Sequence, residues 1–358
     1  MDTDPGRATG PGSATDLGTG PESSEPQPRM VAFLFPGQGA QHPRMGADLY
    51  GVSQRFTTTM DQAFDAFGPS GRTIRQEWLA ASPSSSYDDI SRSQPLLYAV
   101  NCALGALLLD SGVRPDALLG HSVGELAAGT LGGVIDFESG LRYLRDFVRI
   151  HRHAPPGGML AVAATEEQVA PHLRDDVVVG AVNGPRQLLL AGTDPALRHV
   201  ELDLVDAGFT CTRARARQPF HSPVMRAVLD THGPTAARPR LRPPHTVIFS
   251  ACTGDVLTDD EATDWTYWSG QAARPVLFAP ALRRLLASGD HVLVEAGPGQ
   301  SLTTLARRTS AVASGRSLAV PTLPPRRGAD GADLHTFTTA LEQLRSHGHA
   351  PRAAVPLS

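Results

Sequence analysis

Apolar blocks of strand length and of helix length are separated along this chain by polar breaks rich in Gly and Pro. Residues 1–29 are dominated by Gly, Pro, Ser, Thr, Asp and Glu. Such a composition buries too little apolar surface to offset the entropy of ordering, so a disordered tail is expected there. Order should begin at Met30, where Val31-Ala32-Phe33-Leu34-Phe35 forms an apolar run stopped by Pro36-Gly37, as in a buried strand. Leu96 to Leu109 is apolar and long enough for a buried helix, with Ser93 placed to cap it, Pro95 near its first turn and Gly112 past its end. Ala117-Leu118-Leu119 then reads as a short strand entering Gly120-His121-Ser122-Val123-Gly124, and Glu125 to Leu131 as the helix that follows.

From Gly158 to Gly192 the pattern shifts to short β-rich runs, Met159 to Ala163, Val177 to Val182 and Gln187 to Ala191, with a charged segment from Thr165 to Arg174. This spacing predicts a small α+β subdomain inserted into a larger α/β one. Strand patterns return at Thr246 to Ser250 and His291 to Glu295, with an apolar helical stretch from Pro275 to Ala287 between them. The predicted organisation is a large subdomain built from 30–156 and 222–346, a small one from 157–221, and a flexible tail over 347–358.

Composition narrows the classes of function. The 358 residues carry a formal charge of −4, which gives no basic field of the kind that attracts nucleic acid or an anionic membrane. Cys102, Cys211 and Cys252 lie far apart and form no C-x-x-C pair, so neither a disulfide framework nor a metal site is expected, and a cytoplasmic location fits. No apolar run approaches the roughly 20 residues that span a bilayer, and the N-terminus lacks the charged and apolar regions of a signal peptide.

Gly120-His121-Ser122-Val123-Gly124 matches G-x-S-x-G. In that motif the flanking glycines allow so sharp a turn between strand and helix that the serine hydroxyl stands clear of the sheet. The following helix aims its free N–H groups and the positive end of its dipole at the same spot, favouring an oxyanion, with the Val123 N–H as first donor. The bland alternative is a small-residue turn.

Together, Phe35-Pro36-Gly37-Gln38-Gly39-Ala40-Gln41 and Gly120-His121-Ser122-Val123-Gly124-Glu125 resemble the malonyl-CoA:acyl carrier protein transacylase family, which includes the acyltransferase domains of polyketide synthases. Arg92-Ser93-Gln94-Pro95, Asn183-Gly184-Pro185, Phe220-His221-Ser222-Pro223 and Glu295-Ala296-Gly297-Pro298-Gly299 match further, in the family's order, from about Val31 to Leu344. The resemblance implies a large α/β-hydrolase-like subdomain with an inserted ferredoxin-like one. It also implies Ser122 as nucleophile, His221 as base, backbone N–H groups of Gln38 and Val123 as oxyanion donors, and backbone carbonyls near Leu277 orienting the imidazole. Gln94 and Asn183 match polar positions facing the family's cleft, and Phe220 lies in a segment that shapes the acyl pocket. The implied partner is an acyl carrier protein, with the acyl group delivered on its phosphopantetheine or on coenzyme A, and no further cofactor.

The sequence departs from that family at one telling place. Extender-unit enzymes of the family carry an Arg 25 residues past the serine, where it pairs with the free carboxylate of malonate or methylmalonate; here the position is Phe147. Arg145 and Arg149 are offset by two residues, roughly 200° around a helix, and cannot point where residue 147 points. Leu141, Leu144, Phe147 and Val148 form an inward apolar stripe at helical spacing. Burying a carboxylate without a cation commonly costs several kcal/mol, so the expected donor lacks one: a monocarboxylic, aminoacyl or short peptidyl group, moved by a discrete, monomeric, trans-acting enzyme of polyketide biosynthesis. The Gln218-Pro219-Phe220-His221 segment is nearer the malonyl type, which keeps a malonyl-CoA transacylase as an alternative, beside an editing acyl hydrolase and a non-catalytic docking protein.

Thr210 to Arg217 alternates with period two, which would place Arg213, Arg215 and Arg217 on one face of a strand, able to meet an acidic carrier protein or its phosphate; a solvated edge strand is the alternative. His151 and His153 lack a third ligand nearby and read as surface residues.

Overall fold

The computed structural model describes residues 29–174, 176–233 and 238–349. The expected N-terminal tail, apart from Arg29, and the last nine residues of the expected C-terminal tail lie outside the described residues. The strands are β1 (Met30–Phe35), β2 (Ala117–Gly120), β3 (Gly157–Val162), β4 (Val177–Gly184), β5 (Gln187–Thr193), β6 (Cys211–Arg213), β7 (Val247–Phe249), β8 (His291–Glu295) and β9 (Leu318–Pro321). They form a parallel sheet of order β7-β2-β1-β8-β9 and an antiparallel sheet of order β4-β5-β3-β6.

A parallel sheet covered on both faces needs strands that are apolar throughout, which is why Val31 to Phe35 reads as an unbroken run. Phe33 and Phe35 pack into one core with Leu97, Val100 and Leu104 of the helix Ile90–Asp110. Ala32 and Leu34, one residue out of phase, pack on the opposite face with Phe278, Leu282 and Leu285 of the helix Phe278–Ala287. The antiparallel sheet buries Leu160, Val162, Leu188 and Leu190 against Leu197, Val200 and Leu204 of the helix Asp194–Asp206. Its other face turns Met159 and Ala191 towards Phe220. That face roofs a cleft whose floor is the carboxyl end of the parallel sheet, where open α/β sheets place their sites.

Two expectations need correction. The long apolar helix begins at Ile90, not near Leu96: Asp89 is its cap, accepting from the Ser91 N–H at 2.9 Å, and Ser93 lies inside, its hydroxyl donating to the Asp89 carbonyl. Buried packing of the first turn carries the helix through Pro95, which forfeits only the bond it would have donated to Ser91. Strand β6 ends at Arg213. Beyond it, among the described residues, only the Ala214 and Gly157 N–H groups still bridge, to Met159 of β3 and to Arg217, so the row of three guanidinium groups on one strand face does not form.

Candidate active site

β2 ends at Gly120 and the helix Val123–Leu131 starts at Val123, so the chain reverses within His121 and Ser122. Ser122 sits at φ 55°, ψ −120°, a conformation an L-residue adopts only under strain and one that recurs where a side chain must be presented. Close approach explains the flanking glycines: a Cβ at 120 would fall 2.1 Å from the Glu125 nitrogen, and one at 124 would fall 2.0 Å from the Phe35 carbonyl oxygen. Gly37 has the same reason, since its Cβ would lie 2.4 Å from the His121 carbonyl. The Pro36-Gly37-Gln38 loop is thereby pressed against the elbow. Beneath it, the buried carboxyl of Glu125 accepts from the Tyr267 hydroxyl, and Tyr267 is in turn bonded to Ser250. Burial raises Glu125 to about 7.

The hydroxyl of Ser122 and Nε2 of His221 are 2.9 Å apart. Nδ1 of His221 lies 2.9 Å from the Arg274 carbonyl. A carbonyl only accepts, so Nδ1 carries the proton and Nε2 is free to accept from Ser122. The resemblance implied carbonyls near Leu277; the one that Nδ1 meets belongs to Arg274, three residues earlier, at the end of the 3-10 turn Gln271–Ala273, while the Leu277 carbonyl accepts from the Ala281 N–H. Any residue type can offer a backbone carbonyl, so no sequence signal marks it.

Burial pushes the His221 imidazole down to about 4; its neighbours His121 and His151 push the same way, and the Arg274 carbonyl resists. Because the folded value is depressed, the neutral, proton-accepting form persists as pH falls until about 4. Formation of a covalent serine adduct is therefore expected to be nearly as fast at pH 5.5 as at pH 7.5, where a histidine of ordinary pKa would have lost about tenfold. Rapid-quench measurement of adduct against pH checks this, and a midpoint near 6.5 would contradict it.

Among the described residues, neither the Gln38 N–H nor the Val123 N–H has a protein acceptor. Both flank Ser122, so both are available to a developing oxyanion. The Gln38 side chain is engaged elsewhere: its Oε1 accepts from Gln94 Nε2 at 3.0 Å.

Behind the serine lies a cavity of about 30 Å³ walled by Gln94, Leu126, Leu144, Phe147, Phe220 and Gln271, among others. Phe147 is on the helix Phe137–His151 and stacks on Phe220, with centroids 5.8 Å apart and planes at 22°. No Arg, Lys, Asp or Glu is among its lining residues in the described chain. His151, expected at the surface, is buried instead, packed on the Phe147 ring and bonded through Nδ1 to the Phe147 carbonyl at 2.7 Å. One helical turn separates the two residues, so the face that buries Phe147 buries His151 as well. His153 is exposed as expected.

The cavity opens into a cleft of about 670 Å³ between the sheets, shared by Gln38, His121, Ser122, Met159, Phe220 and His221. Arg213, Arg215 and Arg326 also line it. Arg213 is tied to Glu201 at 2.7 Å, and Arg215, largely exposed, lies 3.4 Å from Asp88. Arg217 is not on this cleft, but all three of Arg213, Arg215 and Arg217 line a second groove beside Gly157. Asn183 is not on the cavity or the cleft; its Oδ1 accepts from His121 Nε2 at 2.8 Å, steadying the residue before the serine, and it borders a groove elsewhere. No motif marks Arg326 or Gln271 in the sequence; folding alone brings them to the cleft and the cavity that Ser122 lines.

Comparison with known proteins gives concordant matches. Residues 32–351 match the family described as the acyl transferase domain. The chain is 35% identical over 324 residues to one subunit of the phenolphthiocerol/phthiocerol polyketide synthase of Mycobacterium tuberculosis, covering 90% of this chain and 22% of that protein. It thus spans about a fifth of the length of that curated relative. Among solved structures it is similar to the acyl transferase domain of SpnD in complex with 2-(pent-4-yn-1-yl)malonyl, with TM-score 0.82, 32% identity and coverage of 91% of this chain and 79% of that one. It is also similar to a loading acyltransferase of the avermectin modular polyketide synthase, with TM-score 0.76, 30% identity and coverage of 88% and 99%.

Proposed function

The chain belongs to the acyl transferase domain family, and from that premise we propose that it takes an acyl group without a terminal carboxylate onto Ser122 and passes it to the phosphopantetheine thiol of an acyl carrier protein. In the first half, His221 Nε2 takes the Ser122 proton as Oγ attacks the thioester carbonyl, the oxyanion lies between the Gln38 and Val123 N–H groups, and the departing thiolate receives the proton from His221. In the second half the carrier's thiol gives its proton to the same nitrogen, attacks the ester, and Ser122 leaves with that proton. Arg213, Arg215 and Arg326 line the cleft, and in this reading their guanidinium groups meet the phosphate of a phosphopantetheine arm.

The observation that carries the choice of acyl group is the wall of the cavity: Phe147 stacked on Phe220, with no cation among the lining residues. A malonyl carboxylate driven into that space meets no cation among the described residues. Membership alone does not decide this, since the SpnD domain is described with a substituted malonyl group and the avermectin domain as a loading enzyme. Intact-mass measurement after brief exposure to acetyl, propionyl, aminoacyl and malonyl thioesters tests it. Acyl groups without a carboxylate are expected on Ser122 with malonyl trailing by about a hundredfold; malonyl loading fastest would overturn the reading. Chasing the adduct with a carrier protein distinguishes transfer from release of free acid.

A further inference from the structure

Two residues that line the small cavity beside Ser122 each carry a buried polar atom with no hydrogen-bond partner among the described residues. Its volume is about 30 Å³, and roughly 10–15 Å³ suffices for one water. Beyond the ester carbonyl there is space for about two or three non-hydrogen atoms. Most of the wall is apolar, and Gln94 and Gln271 interrupt it. A chain of hydrogen bonds fixes which way the Gln94 amide faces. Ser93 donates to the Asp89 carbonyl and accepts from Gln38 Nε2, Gln38 Oε1 accepts from Gln94 Nε2, and Gln94 Oε1 is left as a buried acceptor with no donor among the described residues. Gln271 Nε2 is the converse, a buried donor with no acceptor. Gln94 is only 2% exposed, so bulk solvent neither reorients its amide nor satisfies its oxygen.

From this geometry we infer that the acyl group the site is built for is a two- or three-carbon hydroxyacyl group, whose hydroxyl donates to Gln94 Oε1 and accepts from Gln271 Nε2. The inference rests on the reading that the donor has no carboxylate. A hydroxyl is the small group that both donates and accepts, so a single group of this kind matches an unpaired acceptor and an unpaired donor together. An alkyl chain of the same shape displaces water from both and leaves them unpaired, and a site with buried polar groups discriminates strongly against an analogue that lacks their partner. An ammonium is disfavoured for the mirror reason to a carboxylate, because no carboxylate lines the cavity among the described residues. The longer aminoacyl and peptidyl groups exceed the space.

Glycolyl and propionyl thioesters of N-acetylcysteamine have the same number of heavy atoms in the acyl group and differ by hydroxyl for methyl, so their rates of adduct formation on Ser122 isolate the effect. Glycolyl is expected to load about tenfold or more faster. In Gln271→Leu the glycolyl-to-propionyl ratio should fall about tenfold, which separates the site's preference from the intrinsic reactivity of the two thioesters. Gln271→Met, closer in shape to glutamine, should give the same fall if the leucine variant folds poorly. A ratio at or below one in the wild type, or one that both variants leave unchanged, overturns the inference while the carboxylate-free reading stands. Malonyl loading faster than either overturns that reading itself.

Discussion

In Ser122→Ala no thioester leaves an acyl adduct, and transfer to a carrier protein falls by on the order of ten-thousandfold or more. The alanine takes away the one oxygen 2.9 Å from His221 Nε2, and with it both half-reactions, since the same oxygen must attack and later leave. What survives is the pair of backbone donors at Gln38 and Val123, which can still polarise a thioester carbonyl towards direct attack by thiol or water. His221→Gln should lose nearly as much, because a serine without a base is a poor nucleophile. The double variant should be no worse than either single one, as expected for groups that act as one unit. Intact-mass detection of the adduct, together with a radiolabelled transfer assay, checks all three variants. An adduct of undiminished yield in Ser122→Ala would place the nucleophile elsewhere and remove the proposed mechanism.

The serine and histidine were legible in the sequence for a physical reason: an elbow constrains its neighbours. Gly120 and Gly124 are required by approaches of about 2 Å that any side chain would block, and such constraints leave a local pattern. The parallel sheet was legible in the same way, through runs apolar on both faces at Val31 to Phe35 and Val292 to Val294. Parts assembled from distant segments left no local mark. The Arg274 carbonyl, the Gln94–Gln38 pair and the contact of Asn183 with His121 each join residues with at least about fifty others between them. The error at His151 is of another kind. With no third ligand near it, His151 reads as a surface residue beside His153, but the stripe that turns Phe147 inward has not ended one turn later. The helix at Ile90 began early because a cap at Asp89 and a buried Ile90 outweighed the single bond lost at Pro95.

Phe147→Arg should reverse the preference for the acyl group, raising malonyl over acetyl loading by about a hundredfold or more relative to the wild type. A guanidinium at this position faces the stacked ring of Phe220 and the edge of Tyr143, with which it can make cation–π contact. No carboxylate lines the cavity among the described residues, so in the unacylated variant the buried charge lacks a counter-ion and should cost about 2–3 kcal/mol of stability. A malonyl group on Ser122 supplies that counter-ion. The variant should therefore melt lower than the wild type when free and recover part of the difference when malonylated, whereas acetylation should restore little. That coupling between adduct and melting temperature distinguishes a carboxylate paired to the introduced guanidinium from a general loosening of the pocket, which would raise loading of every small acyl group and tie none of them to stability. If the variant folds and its malonyl-to-acetyl ratio is unchanged, residue 147 does not contact the acyl end, and the choice of donor must be set elsewhere in the cleft.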